Sequence, residues 1–232
     1  MITEPKLLHE LMQLSPNIKG YVKDNLEAFS ISSHLYNYLL LEDTQHNQSN
    51  LESTVASKIL TQSIGYLFGA IQLTFNGQVF YSFPLLRSFL ESAILAHAFV
   101  KDKKYVDYWL NDEMDTRPVN DLAMSRLITL LPEQNDLQKR VKHRTNLLIK
   151  GGAHPTKFSL SMHDNELLQY ISLPSNSRSY KNGLLCYLKT LLLFMEIENV
   201  TWSSPKYDYE LMALTQKRIY DLEKLNQEIQ AA

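Results

Sequence analysis

The sequence predicts a single all-α domain, residues 1–232, built as a bundle of about seven to nine helices with one small β-hairpin near residues 157–173. Apolar residues recur at three- and four-residue steps along most of the chain, the period of an amphipathic helix. Only seven glycines occur in 232 residues, fewer than the turns of a sheet-rich fold usually demand. The strongest stop signals, Ser15-Pro16, Asn76-Gly77, Pro132 and Gly151-Gly152, fall between the periodic segments rather than inside them.

Taken in order, residues 4–14 form a short helix that Ser15-Pro16 ends. A longer helix follows over 17–43, with Tyr21, Leu26, Phe29, Leu35, Tyr36 and Leu39 on its apolar side. The polar run from Asp43 to Asn50 is a surface loop. Residues 51–75 form the next helix, which stops at Asn76-Gly77 because both residues tolerate a left-handed backbone.

The segment from about 79 or 84 to 100 is the most informative. Pro84 suits a first helical turn, where its missing N–H costs nothing. Leu85, Phe89 and Ala96 occupy one side, Leu86, Leu90 and Ala93 the next, and Phe80, Ile94 and Ala98 a third. A helix apolar on every side belongs at the centre of the bundle. Residues 183–198 are similarly apolar.

Residues 103–112 give a short amphipathic piece with Tyr105, Tyr108 and Trp109, followed by an acidic loop over 111–115. Helices at 119–131 and 134–150 flank Pro132. Gly151-Gly152 closes the second, and Pro155 prevents a restart. Phe158-Ser159-Leu160-Ser161-Met162 alternates apolar and small polar residues instead, which together with the turn residues His163 to Glu166 predicts the hairpin. A last helix over 206–230 presents Leu211, Leu214, Leu222, Leu225 and Ile229 as one stripe, a candidate oligomer seam.

Composition removes several function classes. The net charge of −2 gives no whole-surface attraction for nucleic acid or anionic lipid, so such binding needs a local patch. Cys186 is the only cysteine, which excludes an intramolecular disulfide and a cysteine-based zinc site and suits a small buried apolar role. The N-terminus has no basic and apolar leader pattern, and unbroken apolar runs such as Leu191 to Met195 stop far short of the roughly 20 residues that span a bilayer. A cytoplasmic protein without membrane or cofactor is the expectation. Walker, Rossmann, Gly-x-Ser-x-Gly and His-Glu-x-x-His patterns are missing, and Glu91 and His97 are too far apart for a di-iron Glu-x-x-His pair.

What stands out is charge where the helical period calls for apolar side chains. Arg87 and Glu91 lie one turn apart on the central helix, on a face shared with Phe80, Pro84, Ile94 and Ala98. Their spacing allows an ion pair that fixes helix packing, or a polar lining for a pocket. Arg144 interrupts the stripe Leu137, Val141, Leu148, and Lys139, Arg140, Lys142, His143 and Lys150 surround it. Those cations suit a solvated helix end, and the cluster could also hold a phosphate, whose oxygens match the planar guanidinium fork. His154 follows in Gly151-Gly152-Ala153-His154-Pro155-Thr156, held between glycines that allow close approach and a proline that fixes the chain.

The order Leu85-Leu86-Arg87-Ser88-Phe89-Leu90-Glu91, then a basic helix leading to a His154-Pro155 loop, resembles helical prokaryotic proteins of the HEPN-like superfamily over roughly residues 80–165. The resemblance implies an all-helical, often dimeric protein. Many such proteins are metal-independent ribonucleases of defence or toxin–antitoxin systems, and others bind nucleotides or partner proteins. It further implies His154 as general acid/base, Arg144 as the group that steadies charge on phosphorus, and Arg87 and Glu91 as the residues that orient them. The nine residues between Arg144 and His154 exceed the superfamily's arginine-to-histidine spacing.

Two main readings stand side by side. One is a non-catalytic bundle that binds a ligand or partner through a buried Arg/Glu/His polar site, with a homodimer and an RNA or nucleotide ligand as the partners it allows. The other is a ribonuclease using Arg144 and His154. A third places a metal among His154, His163, Asp164 and Glu166. His97, between Ala96 and Ala98, is a hydrogen-bonded core histidine. His9, His34 and His46 carry no pattern. The helical tyrosines Tyr36, Tyr38, Tyr66, Tyr81, Tyr105 and Tyr108 serve packing and interfaces.

Overall fold

The computed structural model describes residues 18–42, 50–110, 122–153, 173–202 and 209–231, and among these the fold is all-helical with no strand. The predicted helix over 4–14, the polar loop, the acidic loop and nearly all of the predicted hairpin lie outside the described residues.

The helix expected over 17–43 is two helices, α1 (Ile18–Asp24) and α2 (Leu26–Glu42). Asn25 causes the break. Its side-chain Nδ2 donates to Tyr21 O at 3.1 Å, and its backbone N–H turns back to Val22 O at 3.2 Å. A short amide side chain that competes with the helical ladder divides the helix at that point.

Helix α3 (Leu51–Thr74) begins where Asn50 Oδ1 accepts from Ser53 N at 2.8 Å, satisfying one of the free N–H groups of the first turn. It ends as predicted, with Gly77 left-handed at φ 78° while Gln78 N donates to Leu73 O. Pro84 stands in the first turn of α4 (Phe83–Lys101). Asp102 then breaks the chain by turning extended, and its Oδ1 accepts from Lys104 N to start α5 (Lys103–Leu110).

The predicted helix over 119–131 shortens, within the described residues, to α6 (Met124–Leu127) and a 3₁₀ turn, Ile128–Leu130. Leu131 adopts an extended backbone (ψ 151°), as the residue before a proline prefers. The next helix starts at α7 (Leu137–Leu148), later than expected, because Asn135 and Asp136 both adopt φ 54°. These are among the few side chains that tolerate that region. A π-helical turn, Ile149–Ala153, then carries Gly151 and Gly152. Helix α8 (Arg178–Thr201) is longer than predicted at both ends, and Ser177 Oγ caps it by accepting from Tyr180 N. Helix α9 (Tyr209–Ala231) completes the bundle.

As its apolar wheel predicted, α4 occupies the middle. It packs against α3, α5, α7, α8 and the π-helical turn. Helix α8 runs beside it in the same direction. Phe89 stacks on Phe194 with ring centroids 3.9 Å apart, and further along His97 meets Thr201. Where α8 passes the turn before α4, a Cβ on Gly183 would sit 2.4 Å from Val79 Cγ1 and 3.2 Å from its Cβ. Only glycine fits this close approach. By length and composition α4 is also apolar enough to cross a membrane, a property that a search for unbroken apolar runs overlooks, although most of it is buried against protein in this fold.

The stripe expected on α9 is rotated. Thr215, Ile219, Leu222 and Asn226 are its buried positions, whereas Leu214 and Leu225 are each 37% exposed. Helix α9 packs on α8 and α2, tied by ion pairs from Lys189 to Glu223 and from Arg218 to Glu27. The chain ahead of α8 is also fixed. Leu173 N donates to Gly77 O at 2.9 Å, and Tyr21 Oη donates to Leu173 O at 2.7 Å.

Candidate functional site

The apolar stripe of α7 inserts between α4 and α8, and Arg144 goes in with it. Leu137, Val141, Arg144, Thr145 and Leu148 are the buried residues of this helix. Arg144 is only 8% exposed. Lys142 and His143, on the other side, are exposed. The helical period alone therefore placed Arg144 correctly, and the question is what compensates its charge.

Its neighbours on α7 have partners. Lys139 pairs with Asp136 at 2.9 Å. Arg140 makes a two-pronged contact with Glu196 on α8, Nη1 to Oε1 at 3.0 Å and Nη2 to Oε2 at 2.6 Å, and also donates from Nε to Asn135 O. This fork clamps α7 onto α8. The basic face expected from the sequence is thus partly neutralised.

Arg144 differs. Its Nη1 donates to Cys186 Sγ at 3.0 Å, and its Nε, fully buried, has no acceptor among the described residues. No described carboxylate lies within ion-pair distance of it, and it bonds to neither Arg87 nor Glu91. Cys186 gives no counter-charge. Burial pushes its thiol pKa above the ordinary value, with the Arg144 guanidinium pulling the other way, so the group remains a neutral, weakly accepting thiol near pH 7. Cys186 is therefore buried as expected, and it also fixes one end of a cation.

Arg87 and Glu91 do meet, Nε to Oε1 at 2.7 Å. Their side chains are 33% and 22% exposed, so the pair is half-buried rather than sealed. Such a pair on one helix contributes little net stability, about 0.3–0.5 kcal/mol. Among the described residues Arg144 makes no bond to the Arg87–Glu91 pair, and His154, the histidine of the expected site, lies outside the described residues. His163, Asp164 and Glu166 lie outside them too. Among the described residues no three His, Cys, Asp or Glu side chains are grouped to hold a metal.

His97 is a core histidine bonded at both nitrogens. Nδ1 lies 3.0 Å from Thr201 Oγ1 and Nε2 3.2 Å from Leu130 O. A carbonyl can only accept, so Nε2 carries the proton of the neutral ring, and the one Thr201 hydroxyl proton faces two acceptors, Nδ1 and Ile197 O at 2.7 Å. Burial lowers the pKa of His97, the bond to Leu130 opposes that shift, and Lys101 adds to it. Glu198 escaped notice in the sequence. It is 1% exposed inside α8, and its Oε2 accepts from Trp202 Nε1 at 3.0 Å. The signal was the same as for Arg144, a charged residue at an apolar position, but the surrounding run of leucines and Phe194 hid it.

The described residues thus define a helical bundle with a buried, uncompensated guanidinium. No protein-family model matches the chain, and no curated protein and no solved structure is significantly similar to it.

Proposed function

We propose that this chain is a non-catalytic helical binding protein, and that Arg144 is the residue that meets its ligand. The observation that carries this reading is the buried Arg144 cation, with a neutral thiol as its one bonded partner among the described residues. An isolated buried charge costs several kcal/mol, and folds that keep one normally surround it with carboxylates or bound anions. Two carboxylates of this region are taken up by other cations, Asp136 just ahead of α7 by Lys139 and Glu196 on α8 by Arg140. The ligand therefore supplies the negative charge. A nucleotide or a short RNA brings phosphate to a guanidinium in the required form.

The test is a thermal-shift screen of the full chain against nucleotides and RNA fragments, run in parallel on Arg144→Met. Stabilisation of the wild type that the variant lacks supports binding at Arg144, and equal stabilisation of both removes it. The same RNAs are then examined for cleavage. Cleavage abolished by His154→Ala would replace the binding reading with the HEPN-like ribonuclease one.

A further inference from the structure

We infer that Arg144 receives an oxyanion with two oxygens through one edge of its guanidinium, the edge formed by Nε and Nη2. This inference rests on the binding reading and narrows it to a ligand class: a carboxylate or phosphate group rather than a monatomic anion.

A guanidinium is planar and donates along two usable edges, one between its terminal nitrogens and one between Nε and the terminal nitrogen on the same side. Cys186 Sγ occupies Nη1, at 3.0 Å. That contact takes up one of the two hydrogens of Nη1. Nε is fully buried without an acceptor, and no described residue accepts from Nη2. The two unused donors are therefore neighbours, parallel and coplanar, at the spacing of two oxygens on one carbon or phosphorus.

Three features keep this edge from being a chance orphan. The fork of Arg140 on Glu196, one turn earlier on the same helix, shows that an arginine of α7 takes a two-oxygen anion when one is at hand, there end-on through Nη1 and Nη2. Thr145, the next residue, is buried and donates its hydroxyl to Val141 O, and no bond joins it to Arg144. Immediately after α7, the helix widens into the π-helical turn carrying Gly151 and Gly152, which packs on both α7 and α4. Single π-helical turns concentrate at binding sites because they open the backbone ladder.

The experiment uses the full chain labelled with ¹⁵N and follows the Nε–H resonance of Arg144, assigned by its loss in Arg144→Lys. Inorganic phosphate, acetate and chloride are titrated separately at constant ionic strength. Phosphate or acetate should move the resonance saturably and slow its exchange with water, while chloride should leave it in place. Acetate acting alone identifies a carboxylate ligand, and phosphate acting alone a phosphoryl one. Arg144→Lys, which keeps the charge and loses the edge, should weaken that binding by about tenfold or more, read from the thermal midpoint. A resonance that chloride moves as far as phosphate overturns the two-oxygen edge and leaves anion binding at Arg144 standing. A resonance that none of the three moves also overturns the edge, and the nucleotide screen then decides the broader reading by itself.

Discussion

Replacing Arg144 with methionine should make the ligand-free protein more stable. The substitution exchanges a charged side chain that is 8% exposed for an apolar one of similar length among Leu137, Val141 and Leu148. Replacing buried charges by apolar residues of similar volume gains roughly 1–4 kcal/mol when their compensation is poor. The lower half applies here, since the Nη1 contact to Cys186 is lost and part of the guanidinium reaches water. A gain of about 1–2 kcal/mol raises the melting temperature of a chain this size by about 2–8 °C. Circular dichroism during heating, with urea unfolding as a second measure, reads the effect. The opposite result is equally distinct. Breaking a well-compensated buried ion pair costs about 3–5 kcal/mol, so a loss of that size would mean that Arg144 already has its counter-charge and needs no ligand.

Three further expectations follow from the core. Gly183→Ala drives a methyl into Val79 and should destabilise by about 1–3 kcal/mol in urea unfolding, with Val79→Ala restoring much of it; simple additivity would deny the contact. Phe89→Ala removes one ring of the stack on Phe194 and should cost about 3–5 kcal/mol, so a cost below 1 kcal/mol would place the rings elsewhere. His97, whose folded pKa lies below the ordinary histidine value of about 6.5, should make the wild type lose stability as pH falls from about 6.5 towards that lower value. The unfolded chain takes the proton first there, so the slope should flatten in His97→Gln, and an unchanged slope would assign the pH dependence to another group.

Much of the fold was legible because helical period and stop signals are local. Pro84 and Gly77 stand where their backbone preferences put them, and the all-round apolar character of α4 is enough to place it centrally. What misled was competition that a periodicity count does not weigh. Asn25 divides one expected helix because its amide bonds to Tyr21 O, and Asn135 and Asp136 delay another. The rotation of α9 was hidden for a different reason. Its buried face includes Thr215 and Asn226, and Asn226 is held by Asn182 across the seam, so the polar residues that pack cannot be told from those that do not until the neighbour is known. At the site, the period identified Arg144 as buried, and the i,i+4 spacing correctly joined Arg87 to Glu91. No local pattern could reveal that Cys186, far along the chain, would be the side chain touching Arg144.

Leu173 has a consequence for the order of folding. Its carbonyl is held by a tyrosine 152 positions earlier and its amide by the turn at Gly77, so both bonds close very long loops. Such closures come after the helices they join, since the entropy of drawing distant segments together must be met by contacts already made. The Leu173 amide should therefore gain protection from hydrogen exchange among the last in refolding. Its protection would mark the moment when α1, the Gly77 turn and the start of α8 become one cooperative unit.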